Sequence, residues 1–208
     1  MSNKTNIKTV TSNFLWRFLE RCGSQGVLLI VSLVLARLID PEAYGTIALV
    51  TVFTTILQVF VDSGMGNALI QKKGTDDLDF STVFFFNIFV CGILYLLIFI
   101  AAPWIALFYE QPELTSVVRV LCLTIVISGL RNVQQAYVSK TMQFKRFFYS
   151  TLGGTIIGAI AGILMAYVGG GVWALVTQQI LNTAVGTLIL WITVRWRPKR
   201  MFSFRRLK

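Results

Sequence analysis

Charged residues are scarce in this chain of 208 residues. They make up only 13% of it, whereas a soluble domain carries about 25%. Together with a mean hydropathy of +0.71 and a hydrophobic share of 55%, this scarcity excludes a soluble globular domain. Histidine is absent and cysteine is rare. Cys22, Cys91 and Cys122 fall in three different apolar stretches without a metal-binding spacing, so we interpret them as small packing residues.

The chain also lacks the common signs of an enzyme. No Walker A pattern is present, which excludes ATP binding of that kind. Asp77 and Asp79 match the D-x-D pattern of metal-dependent glycosyltransferases, but their short loop favours helix capping instead. Six spans of about 20 residues each leave no room for a soluble catalytic domain. We therefore expect no enzymatic activity, no cofactor and no bound metal.

Apolar runs separated by charged residues, Gly and Pro predict an all-α membrane protein, a bundle of six transmembrane helices in a single lobe. The predicted helices are residues 14–38, 44–61, 83–105, 117–137, 149–168 and 172–194, followed by a basic tail at 195–208. The first stretch contains charged residues and does not resemble a cleaved signal peptide. In the fifth helix, Gly154, Gly158 and Gly162 form a ridge that permits close packing of a neighbouring helix.

Lys and Arg are concentrated at alternate ends of the predicted spans. Most of the 19 basic residues lie in the N-terminal tail, the second and fourth loops and the C-terminal tail. The opposite side holds only Arg37 and Arg119. The positive-inside rule therefore predicts that both termini are cytoplasmic. Because the charges flank apolar spans, we expect them to meet a phospholipid membrane and not a nucleic acid.

Several predicted spans carry polar residues along one side. Those of the first helix follow i, i+3, i+4, i+7, and those of the second and fourth follow i, i+4, i+7, i+11. In chain order these stripes are Arg17, Glu20, Arg21 and Ser24; Thr51, Thr55, Gln58 and Asp62; and Thr124, Ser128, Arg131 and Gln135, with a weaker patch of Gln178, Gln179 and Asn182 in the sixth helix.

Two interpretations of these stripes are open. They could be hydrogen bonds between helices, worth about 0.6 kcal/mol each. However, an ionisable group inside a span costs about 2.5–3.5 kcal/mol and usually faces a protein interior or a water-filled cavity. The charged members therefore favour a wet cavity of net positive charge. If the first span begins as late as Gly23, Arg17 and Arg21 instead reach the interface and extend into water.

A cationic cavity suits an anionic, polar cargo. Arginine binds phosphate well, because its planar guanidinium forms two parallel charge-assisted hydrogen bonds and stays protonated. Glu20 and Asp62 could hold the arginines in place, or they could take up a proton or Na⁺ as a coupling step.

Five segments carry a family resemblance. They read LARLIDPEAYG at 35–45, FVDSGMGNALIQK at 60–72, STVF at 81–84 with Asn87, GVWALV at 171–176 and RWRP at 195–198. Together they resemble the polysaccharide-transporter flippases of the multidrug/oligosaccharidyl-lipid/polysaccharide superfamily, most of all the O-antigen, colanic acid and exopolysaccharide exporters. The resemblance runs along nearly the whole chain, which looks like the N-terminal half of such a protein.

The resemblance implies one lobe of a MATE-like two-lobe transporter, whose lobes rock about a central cavity. It implies translocation of undecaprenyl-diphosphate-linked oligosaccharide across the bacterial inner membrane, for O-antigen, capsule or exopolysaccharide export. Arg17, Arg21 and Arg131 are then the candidates for diphosphate binding, and the Thr, Gln and Asn side chains are candidates for sugar. Polysaccharide polymerase and glycosyltransferases are possible partners. Two alternatives are an ion-coupled multidrug exporter of the same superfamily and a non-transporting scaffold of a polysaccharide assembly complex.

Overall fold

The computed structural model describes residues 7–62, 65–72, 74–199, 201 and 203. In chain order its helices are α1 (Ile7–Leu38), α2 (Pro41–Asp62), α3 (Met65–Gln71), α4 (Asp77–Phe108), α5 (Leu114–Leu121), α6 (Leu123–Lys140), α7 (Phe144–Tyr167) and α8 (Val172–Thr193). Six helical stretches are long and apolar enough to cross a membrane, with α5 and α6 forming one of them. The predicted all-α bundle of six membrane spans is confirmed, and the chain is a multi-pass membrane protein.

Five of the six predicted spans lie in helices that begin before the predicted start, and the extension is longest in α1 and α4. α1 begins at Ile7, so Arg17 lies inside a helix that starts well before Gly23. α4 begins at Asp77, because Asp79 closes a capping box in which its Oδ2 accepts from the Asp76 amide at 3.2 Å. Lys72 pairs with the same buried carboxylate at 3.0 Å. Asp79 thus has the predicted capping role.

The glycine ridge of α7 lies directly against α8. A Cβ atom on Gly154 would lie 2.5 Å from the Asn182 carbonyl oxygen, and one on Gly158 would lie 2.7 Å from the Gln178 carbonyl oxygen. Both distances are shorter than any van der Waals contact, so only glycine permits this separation. The close approach predicted from the ridge is confirmed, and α7 and α8 form the most extensive helix contact of the bundle.

The first two helices diverge from the loop that joins them. Near that loop Val31 and Leu35 of α1 share a core cluster with Tyr44 of α2. At the other end α1 packs on α7, with the Trp16 and Phe148 rings 5.2 Å apart, while α2 packs on α6. This arrangement opens a wedge between α1 and α2. It lies at the basic end of the bundle, by which we mean the end with α3, the α6–α7 turn and the residues after α8.

The residues after α8 cross the start of α4 at the basic end. The Trp196 side chain is only 7% exposed and packs on the rings of Phe80, Phe84 and Tyr137. Asp77 accepts from Trp196 Nε1 at 3.3 Å and pairs with Lys199 Nζ at 2.6 Å. This part of the predicted basic tail is therefore tightly packed, while residues 200, 202 and 204–208 lie outside the described part of the chain.

Candidate functional site

A polar cavity of about 370 Å³ lies in the wedge at the basic end. Helices α1, α3, α6 and α7 each contribute to its wall. Its lining residues are Arg17, Glu20, Gly66, Ile70, Asn132, Gln135, Ala136, Ser139 and Phe147. The lining therefore combines an ion pair with side chains that donate and accept hydrogen bonds.

Arg17 and Glu20 form the charged pair of this cavity. Glu20 is only 8% exposed, and its two carboxylate oxygens accept from Arg17 Nη1 at 3.2 Å and from Thr151 Oγ1 at 2.9 Å. The Arg17 guanidinium also lies over the rings of Phe144 and Phe147, with its Cζ at 4.8 and 4.5 Å from their centroids. The Arg17 side chain remains 42% exposed, so it combines fixed geometry with access to the cavity.

Arg131 lies behind the cavity wall on α6. With the Gln135 amide oriented to satisfy both groups, Gln135 Oε1 accepts from Arg131 Nε at 2.9 Å and from Nη2 at 3.2 Å. Gln135 itself lines the cavity, and Glu20 acts electrostatically on Arg131. The described charges of the site are thus two guanidinium groups and one carboxylate. Their sum is positive.

The structure separates Arg21 from the other two arginines. Its side chain is exposed and is not part of the cavity wall, although its carbonyl oxygen accepts from the buried Ser24 hydroxyl at 3.2 Å. On the helical wheel Arg21 is turned by about 40° from Arg17. Because α1 leans on α7, this rotation is enough to place Arg21 outside the cavity.

The remaining predicted residues lie on three helices, α2, α6 and α8. Thr51 and Thr55 are exposed on α2, whereas Thr124 is buried and donates to Leu121 O at 2.6 Å. Gln58 and Ser128 are half-buried, and the side chain of Asp62 lies outside the described part of the chain. Asn182 Oδ1 accepts from Thr155 at 3.5 Å in the α7–α8 contact.

Gln178 lies in a second groove of about 470 Å³, between α1, α2 and α8. Gln25 and Ser32 of α1 and Tyr44 of α2 also line it. Gln25 and Ser32 are exposed at positions within a membrane span. Since polar side chains are costly against lipid, this open face favours contact with water or with a further protein element.

Three polar residues of the site were not among the sequence candidates. Asn132 and Ser139 line the cavity and share a face of α6 with Gln135, at i, i+3 and i+7. That spacing could have identified them, because it parallels the stripe already recognised on α6. Thr151 lies beside Ser150 and one turn before Thr155 in α7, but these hydroxyl groups form no long polar stripe. The short helix α3 contributes Gly66 and Ile70, which have no polar side chain.

Among the described residues, no group of three or more Cys, Asp and Glu side chains is placed to hold a metal ion. The site consists of arginine, amide and hydroxyl groups around one carboxylate. Such groups are suited to binding anionic oxygen atoms and sugar hydroxyls.

Comparison with known proteins identifies the family. The chain is 26% identical over 207 residues to the succinoglycan biosynthesis transport protein ExoT of Rhizobium meliloti (strain 1021), which covers 100% of this chain and 42% of that protein. It is 26% identical over 157 residues to the teichuronic acid biosynthesis protein TuaB of Bacillus subtilis (strain 168), covering 74% of the chain and 32% of TuaB. It is 24% identical over 184 residues to the lipopolysaccharide biosynthesis protein WzxC of Escherichia coli (strain K12), covering 86% and 37%.

The chain thus spans less than half the length of these curated relatives. No solved structure matches it significantly. A family model described as polysaccharide biosynthesis protein matches residues 34–208, which include α2 to α8 and only the last five residues of α1. The chain therefore belongs to the polysaccharide biosynthesis protein family.

Proposed function

We propose that this chain is one lobe of a transporter that moves undecaprenyl-diphosphate-linked oligosaccharide across the bacterial inner membrane. The direction is from the cytoplasmic to the periplasmic leaflet, and the product serves polysaccharide export. The observation that carries the proposal is the polar cavity at the basic end, where Arg17 and Glu20 face the lumen and Arg131 supports Gln135. Family membership and the transport function named for ExoT support it.

The polar lining of the cavity suits a cargo that cannot enter hydrocarbon unaided. Moving one hydroxyl group from water into hydrocarbon costs about 4–8 kcal/mol, and an ionised phosphate costs far more. Arg17 has guanidinium donors beyond the one it gives to Glu20, and its exposed fraction lets them reach a phosphate oxygen. Asn132, Gln135 and Ser139 offer neutral hydrogen bonds beside it.

The basic end is cytoplasmic in this proposal, since cytoplasmic loops carry the excess of Lys and Arg. The cavity then opens toward the cytoplasmic leaflet, which contains the lipid-linked oligosaccharide before transport. The open polar face of α1 and α2 would meet a second six-helix lobe, which supplies the other wall of a central path. Polymerase and glycosyltransferases are proposed neighbours, and no catalytic step is assigned to the chain.

The test is complementation of a bacterial strain that lacks its own flippase for the same glycan, using the complete transporter. The double variant Arg17→Gln with Glu20→Gln removes both charges of the pair, while Arg131 keeps its hydrogen bonds to Gln135. We expect polysaccharide export to fall about 10-fold or more, since charge-assisted hydrogen bonds contribute about 1.5–3 kcal/mol each. Lipid-linked oligosaccharide should accumulate in the cytoplasmic leaflet.

The matched control is Arg37→Gln, which removes an exposed arginine from the last turn of the same helix. It should export normally. Membrane insertion and protein level are compared by immunoblot for every variant. Normal export by the double variant at a normal protein level would overturn the proposal.

A further inference from the structure

A cationic groove lies on the outer surface of the bundle at the basic end. It has a volume of about 480 Å³ and is bounded by the start of α1, the α6–α7 turn and the end of α8. Trp16, Lys145, Arg146 and Tyr149 line it. The Phe144 and Phe147 rings, stacked 6.1 Å apart beneath Arg17, separate it from the polar cavity. The groove is therefore a different site from the one described above.

Within the described part of the chain, no neighbouring acid neutralises the positive charge of this groove. The Lys145 ammonium lies 5.5 Å from the Trp16 ring centroid and 5.8 Å from that of Tyr149. Arg146 Nη1 donates to the carbonyl oxygen of Thr193, which leaves its other guanidinium donors for a ligand. Among the described residues neither of these cations takes part in a salt bridge, and the groove lining contains no acidic residue.

The groove continues into an apolar strip along the outward face of α7. Tyr149, Ile156 and Ile160 follow one another at i, i+7 and i+11 and are 49%, 43% and 55% exposed. Trp and Tyr are typical of the membrane interface, where the ring is apolar and its polar group reaches the headgroup region. The surface therefore changes from cationic to aromatic to aliphatic over about 22 Å from Lys145 to Ile160, at 1.5 Å per helical residue.

We propose that this groove binds one anionic phospholipid, with the phosphate between Lys145 and Arg146 and an acyl chain along Tyr149, Ile156 and Ile160. The order of charges and apolar groups is that of a phospholipid at the membrane surface. Phosphatidylethanolamine also carries a phosphate, but its own ammonium group would meet Lys145 and Arg146 without an acidic partner. Free phosphate would use the charges but not the apolar strip. Charge complementarity therefore favours phosphatidylglycerol.

The experiment is native mass spectrometry of the complete protein, with phosphatidylglycerol or phosphatidylethanolamine of identical acyl chains added at equal concentration. Each basic residue near a membrane surface contributes a factor of about five to the binding of an anionic lipid. We expect phosphatidylglycerol to occupy the site at least five-fold more than phosphatidylethanolamine. We expect Lys145→Gln to reduce its binding about five-fold, and the double variant with Arg146→Gln to reduce it further.

The control is the double variant Arg37→Gln with Arg119→Gln, which removes the same number of charges at the opposite end and should bind phosphatidylglycerol normally. Lys145→Gln leaves the Arg146–Thr193 hydrogen bond in place, so a loss of lipid with unchanged thermal stability supports the proposal. Equal binding of the two lipids would overturn it, as would full retention of phosphatidylglycerol by the Lys145 and Arg146 double variant. Complete displacement of the lipid by millimolar inorganic phosphate would indicate a simple anion site and would also overturn it.

Discussion

The α7–α8 contact predicts that a single methyl group at Gly158 destabilises the bundle. A Cβ atom there would lie 2.7 Å from Gln178 O and 2.9 Å from Asn182 N. Both are backbone atoms of α8, so they cannot rotate away as the end of a side chain could. The methyl group added in Gly158→Ala must therefore push α7 and α8 apart along the most extensive helix contact of the bundle.

The size of the effect follows from two opposing contributions. Replacing Gly by Ala inside a helix favours folding by about 0.5–1 kcal/mol. Overpacking of a tight interior costs about 1–3 kcal/mol. Gly92 in α4 has no atom within 4 Å of its added Cβ, so Gly92→Ala gains the first contribution without the second. We expect Gly158→Ala to be less stable than Gly92→Ala by about 1–3 kcal/mol.

The assay is thermal unfolding of the purified protein in one detergent, followed by tryptophan fluorescence for both variants and the unchanged chain. Each kcal/mol shifts the midpoint by about 2–4 °C in a soluble protein of this size. We expect the midpoint of Gly158→Ala to be several degrees below that of Gly92→Ala. Equal midpoints for the two variants would refute the reasoning, because they would show that α7 and α8 do not pack this closely.

Two further predictions concern the basic end. Trp196→Ala should speed tryptic cleavage within residues 195–199 at least ten-fold relative to Trp196→Phe, because burial of a large ring contributes about 3–5 kcal/mol to stability. Equal cleavage rates for the two variants would contradict the observed packing of Trp196. Glu20→Ala should lower the unfolding free energy by about 2 kcal/mol through loss of charge-assisted hydrogen bonds from Arg17 and Thr151, discounted for the exposure of Arg17. Urea or SDS titration measures this change, and Thr151→Val should show about half of it.

The membrane spans could be predicted because crossing a bilayer is a local requirement. About 20 apolar residues are needed to span the hydrocarbon, wherever the rest of the chain lies. The starts of helices were less predictable. The first turn of α4 contains Asp77, which pairs with Lys199, and Asp79, which closes the capping box and pairs with Lys72. A hydropathy pattern therefore predicts the start of the helix only after such residues.

The candidate site could be predicted only in part. Arg17, Glu20 and Gln135 were identified by their spacing, and the structure brings them together around one cavity. Arg21 has the same residue type and nearly the same helix face as Arg17, but it lies outside this cavity. Periodicity places residues on a helix and does not reveal which neighbouring helix covers that face.

By itself the sequence determined the membrane class of this protein, the number of its spans and the end at which its basic residues gather. These properties follow from the composition of each segment and from its interaction with lipid and water. The tertiary structure alone decided which polar residues share a cavity and that Trp196 packs across the start of α4. It also decided that the Lys145 ammonium lies against the rings of Trp16 and Tyr149. These features join residues far apart in the chain, and the angles at which whole helices pack determine them.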